Sequence, residues 1–205
     1  MTTATNLVTL EEYLTTGYSP DCDYVDDHIE ERNLGEQAHS GLQREFVFYL
    51  HGHRKRWGIS VWPEQRVQTR ATRFRIPDVC VTLGLPNEPI FRTAPFLCIE
   101  IMSSEDRISR MELRIQEYLD MGVPFVWLVD PFKHTAWIYS AAGKKQVTGR
   151  HSTDDLARYK SPAERAIRSR GSRLTFSRTN PLLRKFAAHT HPLRNLIHLG
   201  IVSLP

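Results

Sequence analysis

Two short apolar segments, RIPDVCVT at 75–82 and FLCIEIMS at 96–103, decide the fold, and each contains a single acidic residue. Their length and their content of β-branched and aromatic residues predict buried strands. Asp78 follows a proline, which suits the start of a strand, whereas Glu100 lies within its segment. If the two strands are neighbours in one sheet, we expect the two carboxylates to meet near one end of it.

A carboxylate inside an apolar strand is costly, because burying an unpaired charge takes several kcal/mol or forces the group to protonate. Glu100 therefore needs a compensating group, and a divalent cation shared with a second carboxylate is such a group. Two acidic side chains at one edge of a sheet are the smallest set of protein ligands expected to hold Mg²⁺ next to a phosphate. For Asp78 alone, a turn-capping carboxylate is an equally good interpretation.

Composition indicates a globular protein of modest size. With 205 residues, 40% of them hydrophobic, the chain can bury one core and a small appendage. It has no apolar run of transmembrane length and no signal-peptide layout at its N-terminus, so we expect a cytoplasmic protein. The three cysteines lack CxxC spacing, and Cys80 and Cys98 lie in apolar segments, as reduced core thiols do. The spacing of histidines and cysteines does not indicate a zinc site.

Charge divides the chain into two parts. Residues 146–205 contain eleven Lys or Arg against three Asp or Glu, whereas the whole chain has a formal net charge of only +4. We predict a globular domain at 1–142 and a basic C-terminal extension at 143–205. The extension either binds nucleic acid through counterion release or is a poorly ordered, solvated segment, and its composition favours neither interpretation.

Hydrophobic spacing and turn residues predict an α/β fold of the α+β type, with a mixed sheet flanked by helices. Capping-box spacing after Thr9 opens a short helix, and Asp26-Asp27 forms a hairpin turn. The further predicted elements are, in order, a helix at 36–57, a strand at 59–69, a polar turn at 70–75, strands at 76–83 and 96–102, a helix at 105–121, and strands at 126–129 and 135–139.

Several of these segments resemble the Uma-type branch of restriction endonucleases within the PD-(D/E)XK nuclease superfamily. The matching segments, which agree in order and spacing over roughly residues 9–142, are YVDDHIEERNLGEQAHS, WPEQRVQ, RIPDVCV, LCIEIMSSEDR, EYLDMGVPFVWLVDP and WIYS. The resemblance implies a restriction-endonuclease-like αβββαβ core. It also implies a metal-dependent endonuclease that hydrolyses DNA phosphodiester bonds with Mg²⁺ or Mn²⁺, and it leaves a homodimer open.

The resemblance also assigns roles to individual residues. Asp78 and Glu100 fall on the metal-binding acids, and the backbone carbonyl of Ile101 falls on the position of a third oxygen ligand. His39 falls on a first-helix histidine near the site, although a helix-surface or capping role suits it equally well. Together with Arg114, the residues Asp78, Glu100 and His39 are the predicted catalytic residues.

The chain departs from the family pattern in its cationic residue. The superfamily lysine two residues after the second acid is Met102 here. The lysine that Uma-type proteins carry on the next helix, four residues before the tyrosine, is Arg114. Arginine can stabilise phosphate charge, but it cannot serve as a general base, because it does not release its proton. The alternative for Arg114 is a surface ion pair with Glu117.

The resulting hypothesis is a Mg²⁺-dependent endonuclease that acts on DNA. One alternative is a nucleic-acid-binding protein on a nuclease scaffold with impaired catalysis, because Met102 and Arg114 stand where lysines are expected. The other alternative is an interaction protein whose two acids only anchor structure. Mg²⁺-dependent nicking of plasmid separates the enzyme from the first alternative, and calorimetry of Mg²⁺ binding separates it from the second.

Overall fold

The computed structural model describes residues 7–32 and 36–148, which form two β-sheets and four helices. The helices are α1 (Leu10–Thr15), α2 (Gln37–Gly52), α3 (Arg54–Trp57) and α4 (Ile108–Met121). The strands are β1 (Cys22–Val25), β2 (His28–Glu31), β3 (Ile59–Pro63), β4 (Val67–Arg70), β5 (Arg73–Arg75), β6 (Val79–Leu83), β7 (Leu97–Ile101), β8 (Phe125–Asp130), β9 (Thr135–Ser140) and β10 (Gly143–Thr148). The predicted mixed α+β class is confirmed.

The larger sheet places the two acidic segments side by side. Its strand order is β10-β9-β8-β7-β6-β3. Strands β6 and β7 are antiparallel, with Cys80 opposite Cys98, whereas β7 and β8 are parallel. A parallel pair needs a crossover connection, and α4 supplies it by running between β7 and β8. The start of β6 therefore meets the end of β7, as the sequence predicts for Asp78 and Glu100.

Alternate residues of β7 pack on opposite faces of this sheet. Leu97, Ile99 and Ile101 join an apolar cluster that includes residues of α2. Cys98 and Met102 join a second cluster that includes residues of α4. The alternation predicted from the sequence is confirmed, and it directs the Glu100 side chain to the same face as Cys98 and Met102, toward α4.

Local signals at element ends are also confirmed. Thr9 caps α1, because its Oγ1 accepts a hydrogen bond of 3.2 Å from the backbone N–H of Glu12. Asp26 and Asp27 have φ angles of 46° and 66°, so both residues of the β1–β2 turn are left-handed, as in a type I′ hairpin. Helix α4 ends at Gly122, whose φ of 100° suits a residue without a side chain.

The segment at 59–75 differs from the prediction. The predicted strand at 59–69 is two strands in different sheets, β3 in the larger and β4 in the smaller, with a turn at Glu64, whose φ is 50°. The predicted polar turn at 70–75 is a hairpin in which only Ala71 and Thr72 connect β4 to β5. Strand β5 is polar because Arg73 and Arg75 pair with acids of other elements. Apolar alternation does not detect a strand of this kind.

Smaller differences concern element ends. The predicted helix at 36–57 is divided at His53 into α2 and α3, and the helix predicted to begin at 105 begins at Ile108. The strand predicted at 76–83 begins at Val79, so that Asp78 lies immediately before it. None of these shifts moves a predicted site residue to another element.

The smaller sheet, in the order β2-β1-β5-β4, lies beside α4. Tyr13, Tyr24 and Phe74 form its own aromatic cluster with α1. The smaller sheet is linked to α4 by the packing of Val67 of β4 in the apolar cluster of that helix, and by Glu117 of α4, which accepts hydrogen bonds from both Arg73 and Arg75 of β5. Polar side chains of β1 and β5 are thereby brought under the helix that carries Arg114.

The described residues extend past the predicted domain boundary at 142. Strand β10 pairs with β9 along its whole length, from Gly143 to Thr148. Residues 149–205, most of the predicted basic extension, lie outside the described residues, and the division into a domain and an extension stays a prediction. Within 7–32 and 36–148, no helix is long and apolar enough to span a membrane.

Candidate metal and active site

Asp78 lies at the junction of four elements. Its Oδ2 accepts a hydrogen bond of 2.7 Å from the backbone N–H of Ile101 in β7 and lies 3.3 Å from Nε2 of His39 in α2. Its Oδ1 accepts a hydrogen bond of 2.6 Å from Nη2 of Arg32, which follows β2. The amide of Gln43 in α2 donates to the backbone carbonyl of Asp78 at 3.0 Å. The position of this carboxylate is therefore fixed from several sides.

Glu100 is 1% exposed and has two partners from α4. Its Oε1 accepts a hydrogen bond of 2.7 Å from the Tyr118 hydroxyl, and its Oε2 lies 3.6 Å from Nη1 of Arg114. Burial raises the pKa of Glu100 to about 7, although the nearby charge of Arg114 opposes this shift, and the charge of Asp78 adds to it. The partners that the protein supplies thus compensate the Glu100 carboxylate only in part.

Arg114 is buried, at 8% exposed, so the alternative of a surface ion pair with Glu117 is wrong. Its Nη2 lies 2.8 Å from Oδ2 of Asp23, closer than its Nη1 lies to Glu100. Burial lowers the pKa of Arg114, but the charges of Asp23 and Glu100 outweigh it and leave the pKa raised. Glu117 instead forms a bidentate pair with Arg75, at 2.8 and 3.0 Å.

His39 of α2 faces Asp78, with its Nε2 3.3 Å from Oδ2 of that carboxylate. Burial lowers its pKa, but the hydrogen bond and the charge of Asp78 outweigh burial and leave the pKa of His39 raised. Its Nδ1 and the Nε of Arg114 are buried without a hydrogen-bond partner in the described part of the chain. Two donors or acceptors are therefore left over in the site, available to water or to a ligand.

Two residues of this site, Asp23 and Arg32, are not found by sequence reasoning. Asp23 of β1 is fully buried and accepts hydrogen bonds from the backbone N–H of Ile76 at 3.0 Å and from Arg75 at 3.1 Å, besides its contact with Arg114. Its only local signal is an acid between a cysteine and a tyrosine in a short strand. Arg32 has no local signal, because Asp78, its partner, is 46 residues away.

A small polar cavity joins these side chains. It is lined by Glu31, Arg32, His39, Asp78, Glu100, Ile101, Ser103, Asp106, Arg110, Met111 and Arg114. Its volume of about 30 Å³ holds on the order of one or two water molecules. The larger cavity of about 580 Å³, which includes Leu83, Phe96 and Gly122, lies at the opposite ends of β6 and β7. The five predicted site residues are thus brought together, around the smaller of these two cavities.

The donor set suits a hard divalent cation that keeps several waters. The described residues contain no cluster of three or more His, Cys, Asp and Glu side chains that could hold a metal ion. Mg²⁺, however, is commonly bound through one or two carboxylates, with water and substrate oxygens completing its coordination. A buried Glu100 with a raised pKa, next to Asp78, is an arrangement that such a cation would stabilise.

Comparison with known proteins places this fold in a family. The family model Uma2, described as "Putative restriction endonuclease", matches residues 10–161. The chain has no significant match among curated proteins. Among solved structures, it is similar to the crystal structure of "a putative nuclease belonging to DUF820" from Anabaena variabilis ATCC 29413. That match has 25% identity and a TM-score of 0.62, and it covers 68% of this chain and 83% of the other.

A second solved structure, the cryo-EM structure of a DrdV–DNA complex, matches at 14% identity. It covers 51% of this chain and 10% of the other, and its TM-score of 0.35 is too low to support a structural inference. The family match, in contrast, covers well over half of the chain and includes α2, β6, β7 and α4. The protein therefore belongs to the Uma2 family.

Proposed function

We propose that this protein is a metal-dependent endonuclease that hydrolyses DNA phosphodiester bonds with Mg²⁺ or Mn²⁺. The observation that carries the proposal is Glu100, a buried carboxylate with incomplete compensation, on the strand next to Asp78. The family description and the similar crystal structure, which is itself described as a nuclease, support the same reaction class. With DNA as the partner, the Lys and Arg side chains of residues 149–205 would neutralise phosphates.

The side chains have separate roles in this proposal. Asp78, Glu100 and the backbone carbonyl of Ile101 would hold the cation. When bound, it would act as a Lewis acid toward the phosphate and lower the pKa of a water nucleophile. Tyr118 orients Glu100 through its hydrogen bond of 2.7 Å. Arg114 lies beside Glu100 with one unpaired buried N–H, which suits stabilisation of negative charge that grows on the phosphate oxygens.

His39 has a different role from Arg114, because its proton is exchangeable near neutral pH. The contact with Asp78 favours the protonated imidazole, which adds positive charge beside the site. Arg114 cannot release a proton and a protonated His39 cannot accept one, so solvent or a phosphate oxygen of the substrate would take the proton of the attacking water. This division of roles follows from the chemistry of the two side chains.

The direct test is cleavage of supercoiled plasmid by the full chain with Mg²⁺ or Mn²⁺. We expect nicked and then linear plasmid, and no cleavage when a chelator removes the cation. DNA binding without cleavage under every divalent cation would favour the alternative of a nucleic-acid-binding protein with impaired catalysis. An absence of both Mg²⁺ binding and DNA binding would favour the alternative of an interaction protein.

We expect Mg²⁺ affinity to fall as pH falls through about 7. Burial, opposed by Arg114 and reinforced by Asp78, raises the pKa of Glu100 to about 7, so at lower pH a proton occupies the carboxylate that the cation needs. Each pH unit below this pKa should weaken Mg²⁺ binding by about tenfold. Calorimetric titration of the DNA-free protein from about pH 5.5 to about 8 measures the effect.

Without metal, the same shift has the opposite consequence for stability. The folded state binds the Glu100 proton more tightly than the unfolded chain does. The contribution of this group is therefore full below pH 4.5, the ordinary pKa of a glutamate, and is lost as pH rises to about 7. The control for the Mg²⁺ titration is Glu100→Gln, because the Mg²⁺ binding of this variant should be weak at every pH. A wild-type Mg²⁺ affinity that stays constant from about pH 5.5 to about 8 would contradict the raised pKa of Glu100.

Truncation after Thr148 tests the basic extension. We expect the shortened protein to stay folded, because all six strands of the larger sheet are kept. Its affinity for DNA of arbitrary sequence should fall and lose much of its salt dependence, because all eleven Lys and Arg of the basic region are removed. Thermal melting and DNA binding at several salt concentrations measure the two effects.

A matched control for the truncation keeps the chain length. In it, Arg165, Arg168, Arg170 and Arg173 are replaced by glutamine in the full chain, which lowers charge without removing residues. We expect this variant to lose part of the salt dependence and to melt as the full chain does. Aggregation of the truncated protein would contradict the division, since it would mean that residues beyond 148 cover the core.

A further inference from the structure

Arg32 occupies one oxygen of the carboxylate that the proposed function assigns to a cation. Its Nη2 donates to Oδ1 of Asp78 at 2.6 Å, and its Nη1 lies 3.7 Å from Oε1 of Glu64. The Arg32 side chain is 13% exposed and lines the small polar cavity together with Asp78 and Glu100. Arg32 is thus part of the site wall, although no pattern in the sequence places it there.

Arg32 and a cation would compete for the same atom. The other oxygen of Asp78, Oδ2, already accepts the N–H of Ile101 and faces His39. Oδ1 is therefore the oxygen through which Asp78 would reach a cation. A guanidinium and a divalent cation at this single oxygen would repel each other strongly, since the site is largely buried and screened little by solvent. Cation binding should therefore release Arg32 from Asp78.

Among the described residues, the ion pair that Arg32 forms besides the one with Asp78 is with Glu64, and it is weak. Glu64 is about half-exposed and lies 3.7 Å away, a geometry in which an ion pair contributes little. Among ligands, a phosphate group matches the planar fork of arginine best, because it accepts two parallel hydrogen bonds. Under the proposed function, DNA brings such a group to this same cavity.

We infer that Arg32 is a phosphate ligand that exchanges partners: it holds Asp78 in the metal-free protein and a DNA phosphate once a divalent cation has taken Asp78. This inference rests on the proposed function. It makes the cation and Arg32 antagonists in the absence of DNA. It makes the cation and DNA cooperative, because cation binding frees a phosphate ligand, and such coupling is reciprocal.

Two substitutions separate this exchange from simple neutralisation of Asp78. Arg32→Gln removes the charge, and Arg32→Lys keeps the charge but lacks the fork. In calorimetry of the DNA-free protein, Arg32→Gln should bind Mg²⁺ on the order of tenfold more tightly than wild type, because the competing charge is absent. Arg32→Lys should bind Mg²⁺ about as the wild type does.

DNA binding supplies the second measurement. With Ca²⁺, which takes the same oxygen ligands, wild-type affinity for a short duplex should exceed its affinity in chelator. This gain should fall by about tenfold or vanish in Arg32→Gln, and it should be reduced in Arg32→Lys, because one ammonium cannot form the bidentate contact. The control is Arg44→Gln, which removes an exposed arginine of α2 paired with the neighbouring Glu45 and should change neither measurement.

The outcomes are distinct. Tighter Mg²⁺ binding together with a lost cation-dependent gain in DNA affinity supports the exchange. If Arg32→Gln binds Mg²⁺ as wild type does, or if Ca²⁺ raises its DNA affinity as much as that of wild type, the exchange is overturned while the proposed function stands. A wild-type protein that binds neither Mg²⁺ nor Ca²⁺ overturns both. If thermal melting shows that Arg32→Gln does not fold, Arg32→Lys decides the case: a full cation-dependent gain overturns the exchange, and a reduced gain supports it.

Discussion

Replacing Glu100 by glutamine is expected to abolish Mg²⁺-dependent plasmid cleavage while the protein stays folded. The amide keeps the size of the side chain but removes the charge that would hold the cation, and loss of the cation removes its several-kcal/mol contribution to the transition state. We expect the cleavage rate to fall by about 10³-fold or more. Stability should be unchanged or higher, because a buried carboxylate with a raised pKa is replaced by a neutral group.

Thermal melting with and without Mg²⁺ checks the same substitution independently of activity. Mg²⁺ should raise the melting temperature of wild type, because a ligand that binds only the folded state stabilises it, and should not raise that of Glu100→Gln. Glu112→Gln is the matched control, since Glu112 is an exposed α4 acid paired with Lys144. If Glu100→Gln cleaves plasmid at the rate of the wild type, Glu100 has no role in holding the cation.

Asp78 is a less clean position for this experiment. Asp78→Asn should also abolish cleavage, but it removes the partner of Arg32 and His39 as well as a proposed metal ligand. Breaking an ion pair of this kind leaves a partly buried cation without compensation, which is destabilising. A loss of activity in Asp78→Asn would therefore have two explanations. Glu100→Gln is the cleaner substitution, because Arg114 keeps its shorter pair with Asp23 at 2.8 Å.

The core of the fold could be predicted from the sequence because it depends on periodic burial. Strands β6 and β7 and helix α4 are continuous amphipathic or apolar segments, and each gives a pattern within its own residues. The break between β3 and β4 could not be predicted in this way. It depends on the left-handed conformation of Glu64. Glycine and asparagine adopt this conformation most readily, so a glutamate gives no signal of a turn here.

The site was predictable to the extent that its acids interrupt apolar segments. Asp78 and Glu100 stand out locally, and antiparallel pairing of β6 and β7 brings their strand ends together. The buried ion-pair network around Asp23 and Arg75 could not be predicted, because these partners lie 52 residues apart, in two different strands. Ion pairs between distant segments leave no periodic pattern in the sequence.

Arg114→Ala is expected to lower both stability and activity. Without the guanidinium, Glu100 keeps only the Tyr118 hydroxyl as a partner among the contacts described, and Asp23 keeps Arg75. Removing one partner of a buried charge pair costs about 3–5 kcal/mol of unfolding free energy. Losing a preorganised donor beside the reacting phosphate costs about 10²–10³-fold in rate. Denaturant unfolding and plasmid cleavage well below the melting temperature measure the two effects separately.

The matched control breaks an arginine contact to the same helix at its surface. Arg70 pairs with Asp120 of α4, and both side chains are well exposed, so Arg70→Ala should cost less than about 1 kcal/mol and leave cleavage unchanged. A cost for Arg114→Ala no larger than that of Arg70→Ala would mean that the buried pairs with Asp23 and Glu100 contribute nothing to stability.

Arg114→Lys separates charge from proton transfer. An ammonium at this position keeps the positive charge between Asp23 and Glu100, so we expect most of the stability to be retained. Activity should be retained or raised, because a lysine whose pKa is lowered by burial can also release a proton, which arginine cannot do. If Arg114→Lys raises the rate and Arg114→Ala lowers it, charge at this position is required and proton release adds to it. If Arg114→Ala cleaves as fast as wild type, the guanidinium only anchors Asp23, and the cation that stabilises the transition state must come from Arg32, Arg110 or the metal alone.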